Sequence, residues 1–383
     1  MLGAAEPKAT ARGQAPTLKK AEGGGHSQGL GPWCRQKTGA GSQTITCRAA
    51  IAWETNSLAI EEVQVAPPKA GEVRIKLKST GICGTDDHAL KGLFPMHFPF
   101  IPGHEGAGIV ESIGTGVSSV KPGDKVLTLA IPQCRECNSC LHLKGNFCEK
   151  QDVLPCSGLL MDGTSRFTCQ GKKIYHSFRT STFTEYTVVP EFAVAKIDDA
   201  APMDKICLIS CVVPTGYWAA VHSAKVTPGS ICVVFGLGGI GSAIVMGCKA
   251  SGVTDCLNPR NLKKPVQQVI KEMTVVGVDF AFEAIGLPDT MLAAWDSCNL
   301  SYGVCLIVGV APQNTKLCLE AEMIISGRTM KGVCLGDYKT RDCVPQLVTC
   351  YLQNKINIDL LATHQLPFDQ IHKAFELYHA GKV

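Results

Sequence analysis

The chain has 383 residues, 45% of them hydrophobic and 18% charged; because single cores rarely grow beyond about 250–300 residues, we expect about two domains. Its net charge of +4 is small and no basic block occurs, which argues against nucleic acid as a partner. No run of about 18 apolar residues is present, so the sequence predicts no membrane-spanning segment.

Residues 1–41 predict a disordered extension. They are rich in Gly, Ala, Lys and Gln and offer too little apolar surface to order themselves. They contain no apolar run typical of a secretory signal, and a transit peptide is an alternative that Glu6 and Glu22 disfavour. We therefore predict a cytoplasmic protein, in which clustered members of the 20 cysteines favour metal binding over disulfides.

The residues that follow predict a β-rich domain. Short segments of alternating apolar and polar residues are separated by turns, which is typical of several closely spaced strands. The predicted strands are Cys47–Ala52, Ala59–Val65, Glu72–Thr80, Gly108–Ile113, Lys125–Leu129 and Phe183–Val189.

The stretch from Cys83 to Glu105 concentrates side chains that bind metals or move protons. It begins with CGTDDH at residues 83–88 and ends with GHEG at residues 103–106. Zn²⁺ takes Cys sulfur and His nitrogen, and a catalytic site keeps one of four positions open. Cys83 and His104 are therefore candidate ligands that need a third. The alternative is a buried cysteine and a core histidine without a metal.

A second group of cysteines has the spacing C-x₂-C-x₂-C-x₇-C. Four thiolates at these spacings predict a closed tetrahedral zinc site, which is structural because no ligand position stays open. An iron–sulfur cluster is the chemical alternative. The four residues are Cys134, Cys137, Cys140 and Cys148.

Cys211 is a candidate for the missing third ligand of the first group. It lies between the β-rich domain and the segment that follows, and Pro214-Thr215-Gly216-Tyr217 begins three residues after it. A ligand at this position would place the metal in a cleft between two domains, where ligand sites often form.

From about Val212 onwards, strands alternate with helices. The apolar strands are nearly continuous, which predicts a doubly wound parallel sheet. The predicted strands are Gly229–Gly236, Val253–Leu257, Val278–Ala284, Gly303–Val310 and Thr329–Leu335. The predicted helices are Gly239–Ala250, Leu262–Met273, Asp289–Cys298 and, near the end of the chain, Asp369–His379.

A glycine-rich turn joins the first of these strands to the first helix. The sequence GLGGIG at residues 236–241 follows an apolar strand and opens a helix. In this setting glycines let the backbone approach a pyrophosphate, and the helix N-terminus offers free N–H groups. The turn predicts a dinucleotide site formed by Gly236, Leu237, Gly238, Gly239, Ile240 and Gly241.

The second half of the dinucleotide signature is incomplete. An acidic residue about 20 positions further on should end the second strand and accept the ribose hydroxyls. Asp255 has this offset but lies inside an apolar run, and the residue at the end of that run is Asn258. Five predicted strands stand where the doubly wound plan has about six, so one strand is missing.

Taken together, these motifs resemble the zinc-dependent medium-chain alcohol dehydrogenases of the vertebrate liver-type classes. The resemblance runs from about Ser42 to Lys382 and also includes DGTSRF at residues 162–167. It implies a GroES-like catalytic zinc domain at 42–212 and 336–383, and a Rossmann-type dinucleotide-binding domain at 213–335. Asp152 stands where the glutathione-dependent formaldehyde class has an arginine, which argues against that class.

The resemblance assigns roles to individual residues. It implies that Cys83, His104 and Cys211 hold a catalytic zinc near Glu105. Thr85 would contact the substrate oxygen and His88 would end a proton relay. Thr215 and Val310 would join the glycine turn in binding NAD. The four lobe cysteines would hold a structural zinc, giving two Zn²⁺ per chain.

The chain also departs from the family. The family's second Rossmann strand and its terminal aspartate are missing near 252–254. Gly84 stands where an arginine or histidine often contacts the pyrophosphate, and Trp218 replaces a small residue beside the cofactor cleft. The sequence ends before the family's last strand and a cofactor-binding arginine.

The predicted function is the zinc-assisted interconversion of alcohols with aldehydes or ketones, with hydride transfer to NAD. The alternative is a zinc-binding relative that lacks the cofactor and catalytic activity. Phe94, Ala130, Val310 and Ala311 match positions that line the family's substrate pocket, and the small Ala130 suggests room for a bulky alcohol. By resemblance, a homodimer forms through the sheet edge near Gly303–Val310.

Overall fold

The computed structural model describes residues 43–154, 156–249 and 263–382. The predicted extension 1–41 and the predicted strand Val253–Leu257, with Asp255 and Asn258, lie outside the described residues. Within the described residues, no helix is long and apolar enough to cross a membrane.

The N-terminal part of the structure is built from two sheets. The strands are β1 (Ile45–Ile51), β2 (Ala59–Val65), β3 (Glu72–Thr80), β4 (Phe100–Ile101), β5 (Gly106–Ile113), β6 (Lys125–Thr128), β7 (Phe167–Cys169), β8 (Lys172–His176), β9 (Tyr186–Pro190) and β10 (Val194–Lys196). The strand orders of the two sheets are β1-β2-β7-β8-β4 and β10-β6-β5-β3-β9.

Because apolar and polar residues alternate, one face of each of these strands packs against the core. In β2, for example, Val63 and Val65 are buried whereas Glu62 and Gln64 face solvent. Successive side chains of a strand point to opposite faces, so each strand covers a core with one face. The predicted strands β2 and β3 have the predicted bounds, and β5 begins two residues earlier, at Gly106.

The remaining strands form a parallel sheet in the order β11-β12-β13-β14. The strands are β11 (Cys232–Phe235), β12 (Phe280–Glu283), β13 (Val304–Ile307) and β14 (Thr329–Gly332). The α-helices among the described residues are α1 (Gly84–Leu90), α2 (Asn138–Leu141), α3 (Val212–Trp218), α4 (Gly239–Lys249), α5 (Val266–Thr274), α6 (Pro288–Ser297), α7 (Thr340–Leu352) and α8 (Ile371–His379).

Helices cover both faces of the parallel sheet. Phe282 and Leu306 pack on one face with Ile244 of α4, whereas the preceding residues of the same strands pack on the other face with Trp295 of α6. Burial on both faces explains why these strands read as continuous apolar runs. The predicted α/β fold class, with a β-rich domain and a Rossmann-type sheet, is confirmed.

The strand order leaves one edge of β11 without a partner among the described residues. β11 pairs with β12 on one side, and the other described strands follow outwards from β12. The doubly wound plan places further strands on both sides of its first strand. The described sheet therefore corresponds to one side of that plan.

The last helices pack against the N-terminal sheets. Phe375 of α8 is buried in the core of the first sheet, with its ring centroid 6.1 Å from that of Phe183. Thr340 at the start of α7 donates a hydrogen bond to the carbonyl oxygen of Ile131. The C-terminal segment thus belongs to the packing of the β-rich part, and α8 forms one wall of the cleft described below.

Candidate metal and nucleotide sites

Four candidate ligands from separate segments meet at one point. Their ligand atoms all lie within 4.8 Å of one another. Cys83 directly precedes α1, whereas His104 and Glu105 directly precede β5. The fourth, Cys211, lies between a 3₁₀ turn, Ile206–Ser210, and α3. The ends of packed strands and helices therefore position the site, which stabilises its geometry.

Asp86 orients the imidazole of His104. Its Oδ1 lies 2.9 Å from His104 Nδ1, and its Oδ2 accepts a hydrogen bond of 3.1 Å from the Cys83 backbone N–H. Asp86 is fully buried. A carboxylate on one ring nitrogen leaves Nε2 free to bind a metal. The sequence pattern alone does not reveal this role of Asp86, although the residue lies three positions from Cys83 on the same helical turn.

Glu105 is a buried carboxylate with a free oxygen. It is 1% exposed, and its Oε1 has no hydrogen-bond partner. A Cβ at Gly81 would lie 1.9 Å from Glu105 Oε2, so this position requires glycine. Burial, followed by the Cys83 thiolate, raises the pKa of Glu105 well above its usual value. A buried carboxylate oxygen without a partner, beside two cysteine sulfurs, is chemically suited to a cation.

The two thiols complete a donor set that suits zinc. The thiol of Cys211 hydrogen-bonds to Cys83, which lowers the pKa of Cys83 well below that of a free thiol although burial opposes the shift. The same contact, with burial, raises the pKa of Cys211. Two sulfurs, one imidazole nitrogen and a nearby carboxylate match the ligands that Zn²⁺ takes in catalytic sites.

The four cysteines of the second group also meet, again with all ligand atoms within 4.8 Å. The Sγ atoms of Cys134 and Cys140 are 3.9 Å apart, and so are those of Cys137 and Cys148. The backbone N–H of Cys137 donates to the Sγ atom of Cys134, and the backbone N–H of Cys140 donates to that of Cys137. Both N···S distances are 3.3 Å. Such donors stabilise thiolates, and the set fits a structural zinc.

Lys339 anchors this cysteine lobe to the rest of the protein. Its Nζ donates to the carbonyl oxygens of Cys140 (2.7 Å), His142 (2.8 Å) and Ser139 (3.0 Å), and also to that of Gly145. Sequence reasoning missed this residue because the contact spans nearly 200 positions and no local pattern marks it.

A cleft of about 710 Å³ joins the first metal cluster to the glycine turn. This volume lies in the range of small-molecule and cofactor pockets. Cys83, Glu105, Thr85 and His88 line it on the metal side. Gly238, Gly239, Ile240 and Val310 line it on the side of the parallel sheet. The structure therefore brings both predicted catalytic residues, two of the four ligands of the first metal cluster and four of the eight predicted cofactor residues to one space.

The glycine turn has the form that a dinucleotide needs. Gly236 has a φ of +94°, a conformation that favours glycine. A Cβ at Gly241 would lie 1.8 Å from the carbonyl oxygen of Gly236, whereas nothing lies within 4 Å of a Cβ at Gly238. The turn is thus tight on its inner side and open towards the cleft. These residues fit a phosphate group at the start of α4.

Several predicted residues lie away from the cleft lining. Gly236, Leu237 and Gly241 form the turn behind it. Thr215 is buried and donates a 2.6 Å hydrogen bond to the carbonyl oxygen of Cys211, so it supports the metal ligand in this structure. Its predicted role in cofactor binding stays a prediction.

Trp218 packs away from the cofactor cleft. It is absent from the cleft lining, and its ring stacks on Tyr338 with centroids 5.4 Å apart. Gly336 makes room for it, because a Cβ there would lie 2.3 Å from Trp218 Cβ. In this structure the large side chain is accommodated in the core.

An apolar cluster lies beside His104. Phe178 packs against Ala130 with Met96 and Val153 nearby. The ring of Phe178 is 6.0 Å from that of His104 and 5.9 Å from that of Phe94. The room that the small Ala130 suggested is therefore occupied by a phenyl ring, a contact that the sequence did not reveal.

Two family models match the chain. The model described as alcohol dehydrogenase GroES-like domain matches residues 69–199, and that described as zinc-binding dehydrogenase matches residues 232–352. Together they cover more than half of the chain, and both metal clusters have the expected ligands. The chain belongs to the zinc-dependent medium-chain alcohol dehydrogenase family.

Solved structures of alcohol dehydrogenases are similar over nearly their whole length. An alcohol dehydrogenase zinc-binding domain protein from Burkholderia ambifaria is 28% identical, with a TM-score of 0.82, and the match covers 89% of this chain and 98% of that one. Benzyl alcohol dehydrogenase from Acinetobacter calcoaceticus is 25% identical, with a TM-score of 0.80 and coverage of 88% and 97%. A zinc-dependent alcohol dehydrogenase from Streptococcus pneumonia, at 23% identity and a TM-score of 0.70, shares the fold.

Proposed function

We propose that this alcohol dehydrogenase family member interconverts alcohols with aldehydes or ketones, with NAD as the hydride acceptor. One observation carries the proposal: the metal cluster and the glycine turn line the same cleft, so a substrate oxygen and a nicotinamide ring fit side by side. Proximity of the two reactants is a large part of catalysis in such reactions.

Cys83, His104 and Cys211 would hold the catalytic zinc, with Glu105 beside it. When bound, the zinc supplies Lewis acidity that lowers the pKa of an alcohol. Asp86 fixes the ring of His104 in the orientation needed for binding. The buried position of His104 and Glu105 excludes bulk water from that side of the site.

Thr85 and His88 would carry the alcohol's proton away. Both belong to α1 and line the cleft, and residues three apart on a helix share a face. The Thr85 hydroxyl accepts the proton from the substrate oxygen and releases its own, and the half-buried His88 passes it to solvent.

The proposal also includes the enzyme class, the cellular location and the oligomeric state of the protein. The motifs support the liver-type classes, a cytoplasmic location and a homodimer. Asp152 is buried, accepts hydrogen bonds from Ser157 and Gly158, and lies 3.6 Å from Arg179. Its charge is thus engaged internally, which supports the exclusion of the glutathione-dependent formaldehyde class.

A second candidate is a zinc-binding relative that does not bind NAD. The sequence favours it, because the family's second Rossmann strand and its terminal aspartate are missing near 252–254. In the doubly wound plan, the acidic residue that ends this strand accepts the ribose hydroxyls.

Alcohol-dependent NADH formation, with zinc counted in the same preparation, separates the two candidates. We expect about two zinc ions per chain and NADH formation with ethanol or hexanol that Cys211→Ala abolishes. A preparation that holds both zinc ions but forms no NADH with any alcohol tested would support the second candidate instead.

A further inference from the structure

A tyrosine hydroxyl fills the space above Gly84, the first residue of α1. A Cβ built on Gly84 would lie 2.9 Å from Tyr378 Oη, so any larger residue would displace the hydroxyl. Tyr378 belongs to α8, and both residues line the cleft. The absence of a side chain at position 84 thus admits a polar group from the opposite end of the chain.

The hydroxyl of Tyr378 is available to a ligand. Among the described residues, none forms a hydrogen bond with it, and Tyr378 is half-buried at the cleft. Burial, and then the negative charges of Asp87, Cys83 and Asp86, raises its pKa to about 12. The group is therefore a neutral O–H donor at physiological pH.

Two basic side chains flank the same part of the cleft. Asp87 Oδ2 accepts a hydrogen bond of 2.7 Å from Lys91 Nζ, and Asp87 Oδ1 lies 2.6 Å from His379 Nε2. The Asp87 side chain is 7% exposed, whereas those of Lys91 and His379 are 42% and 49% exposed. A buried carboxylate thus positions the accessible Lys91 ammonium group, which can donate to an anion, and holds the His379 ring beside it.

The open side of the glycine turn lines the same cleft. Gly238 has free space at its Cβ position, and Gly239 begins α4, which has 11 residues. The N–H groups at a helix start bind phosphate oxygens. An elongated anion in this cleft would therefore have donors both from the glycine turn and from the segments that carry Lys91 and Tyr378.

We propose that Tyr378 is a nucleotide-binding residue that donates a hydrogen bond to the diphosphate of the cofactor, with Lys91 and His379 beside it. This inference rests on the proposed function, because it assumes a dinucleotide in the cleft. In this arrangement α8 supplies a contact to the diphosphate that Gly84, which has no side chain, cannot make.

Calorimetric titration, which measures the affinities for ADP-ribose and adenosine, tests the inference without any catalytic step. Tyr378→Phe removes one oxygen, and loss of a hydrogen bond to a charged group should weaken ADP-ribose binding about tenfold while leaving adenosine binding unchanged. Tyr302→Phe is the matched control, because Tyr302 is 58% exposed and lies outside the cleft. Equal zinc content and thermal midpoints verify folding.

Gly84→Ala provides an independent variant. Its Cβ displaces the hydroxyl, so ADP-ribose affinity should fall as in Tyr378→Phe, and the double variant should bind no more weakly than either single one. Unchanged ADP-ribose binding in Tyr378→Phe, with tight binding by the wild type, would overturn the inference and leave the proposed function intact. A wild type that binds neither ADP-ribose nor NAD would overturn both.

Discussion

The metal centres and the parallel sheet differ in how completely the described chain builds them. Each metal centre has its ligands, and its supporting contacts come from within the β-rich part and the segments packed on it. The sheet, by contrast, has described strands on only one side of β11. The described residues thus include every predicted zinc ligand, whereas the described strands of the sheet extend from β11 in one direction.

This difference shows how the two kinds of site depend on the fold. A metal cluster needs a few side chains at the ends of neighbouring elements, as at Cys83 and His104. A dinucleotide site extends across a sheet, so it depends on several strands and the turns that follow them. Among the described residues, the glycine turn contributes to the lining of the cleft.

The largest expected effect comes from breaking the catalytic cluster. Cys83→Ala removes one ligand, and loss of several kcal/mol of Lewis-acid stabilisation should lower kcat/KM by about 10³-fold or more. Metal analysis should find one zinc ion fewer, with the structural zinc retained. Cys207→Ala is the control, because Cys207 is buried nearby but lies outside the cluster. Full activity in Cys83→Ala would contradict the assignment.

Thr85→Val tests the proton path while keeping the shape of the side chain. General acid–base catalysis contributes about 10²-fold or more, so kcat/KM should fall by about 10²-fold with zinc content unchanged. Thr329→Val, at an exposed position on β14, should retain wild-type kcat/KM. A fall of less than about threefold in Thr85→Val would remove this residue from the mechanism.

Lys339→Met tests whether the cysteine lobe depends on its anchor. Removing the ammonium group leaves four carbonyl oxygens without their donor, so the free energy of unfolding should fall by about 2 kcal/mol. Urea unfolding and the rate of zinc release to a chelator measure the effect. Lys331→Met, which loses a surface ion pair with Asp337, should cost about 0.5 kcal/mol. Equal costs would argue against a special role for Lys339.

Phe178→Leu has the smallest expected effect and tests whether this ring lines the substrate side of the cleft. A smaller side chain next to Ala130 opens space beside His104, so the ratio of kcat/KM for octanol to that for ethanol should rise about tenfold. Phe147→Leu, on the exposed surface of the lobe, should leave the ratio unchanged. An unchanged ratio in Phe178→Leu would exclude this ring from the substrate pocket.

Sequence reasoning succeeded where the signal is local. The strand Glu72–Thr80 has its predicted bounds, and α4 begins at the predicted Gly239. Alternation and glycine spacing directly reflect backbone geometry, so these elements are readable from the chain. The cysteine spacings likewise identified a group whose sulfurs do meet.

Contacts between distant residues could not be predicted in the same way. The helix α1, which carries Thr85 and His88, was not predicted, because it has only seven residues and no apolar periodicity. The Tyr378 hydroxyl above Gly84 and the Lys339 anchor join positions far apart in sequence. Tertiary packing determines such contacts, and no window of sequence contains both partners.

Calorimetric titration of the zinc-loaded chain with NAD tests the central claim most directly. We predict saturable binding of one NAD per chain, because the glycine turn and the metal cluster share one cleft. NADP titrated in parallel identifies which dinucleotide the cleft prefers. A chain that holds both zinc ions and binds no NAD at millimolar concentration would contradict the claim.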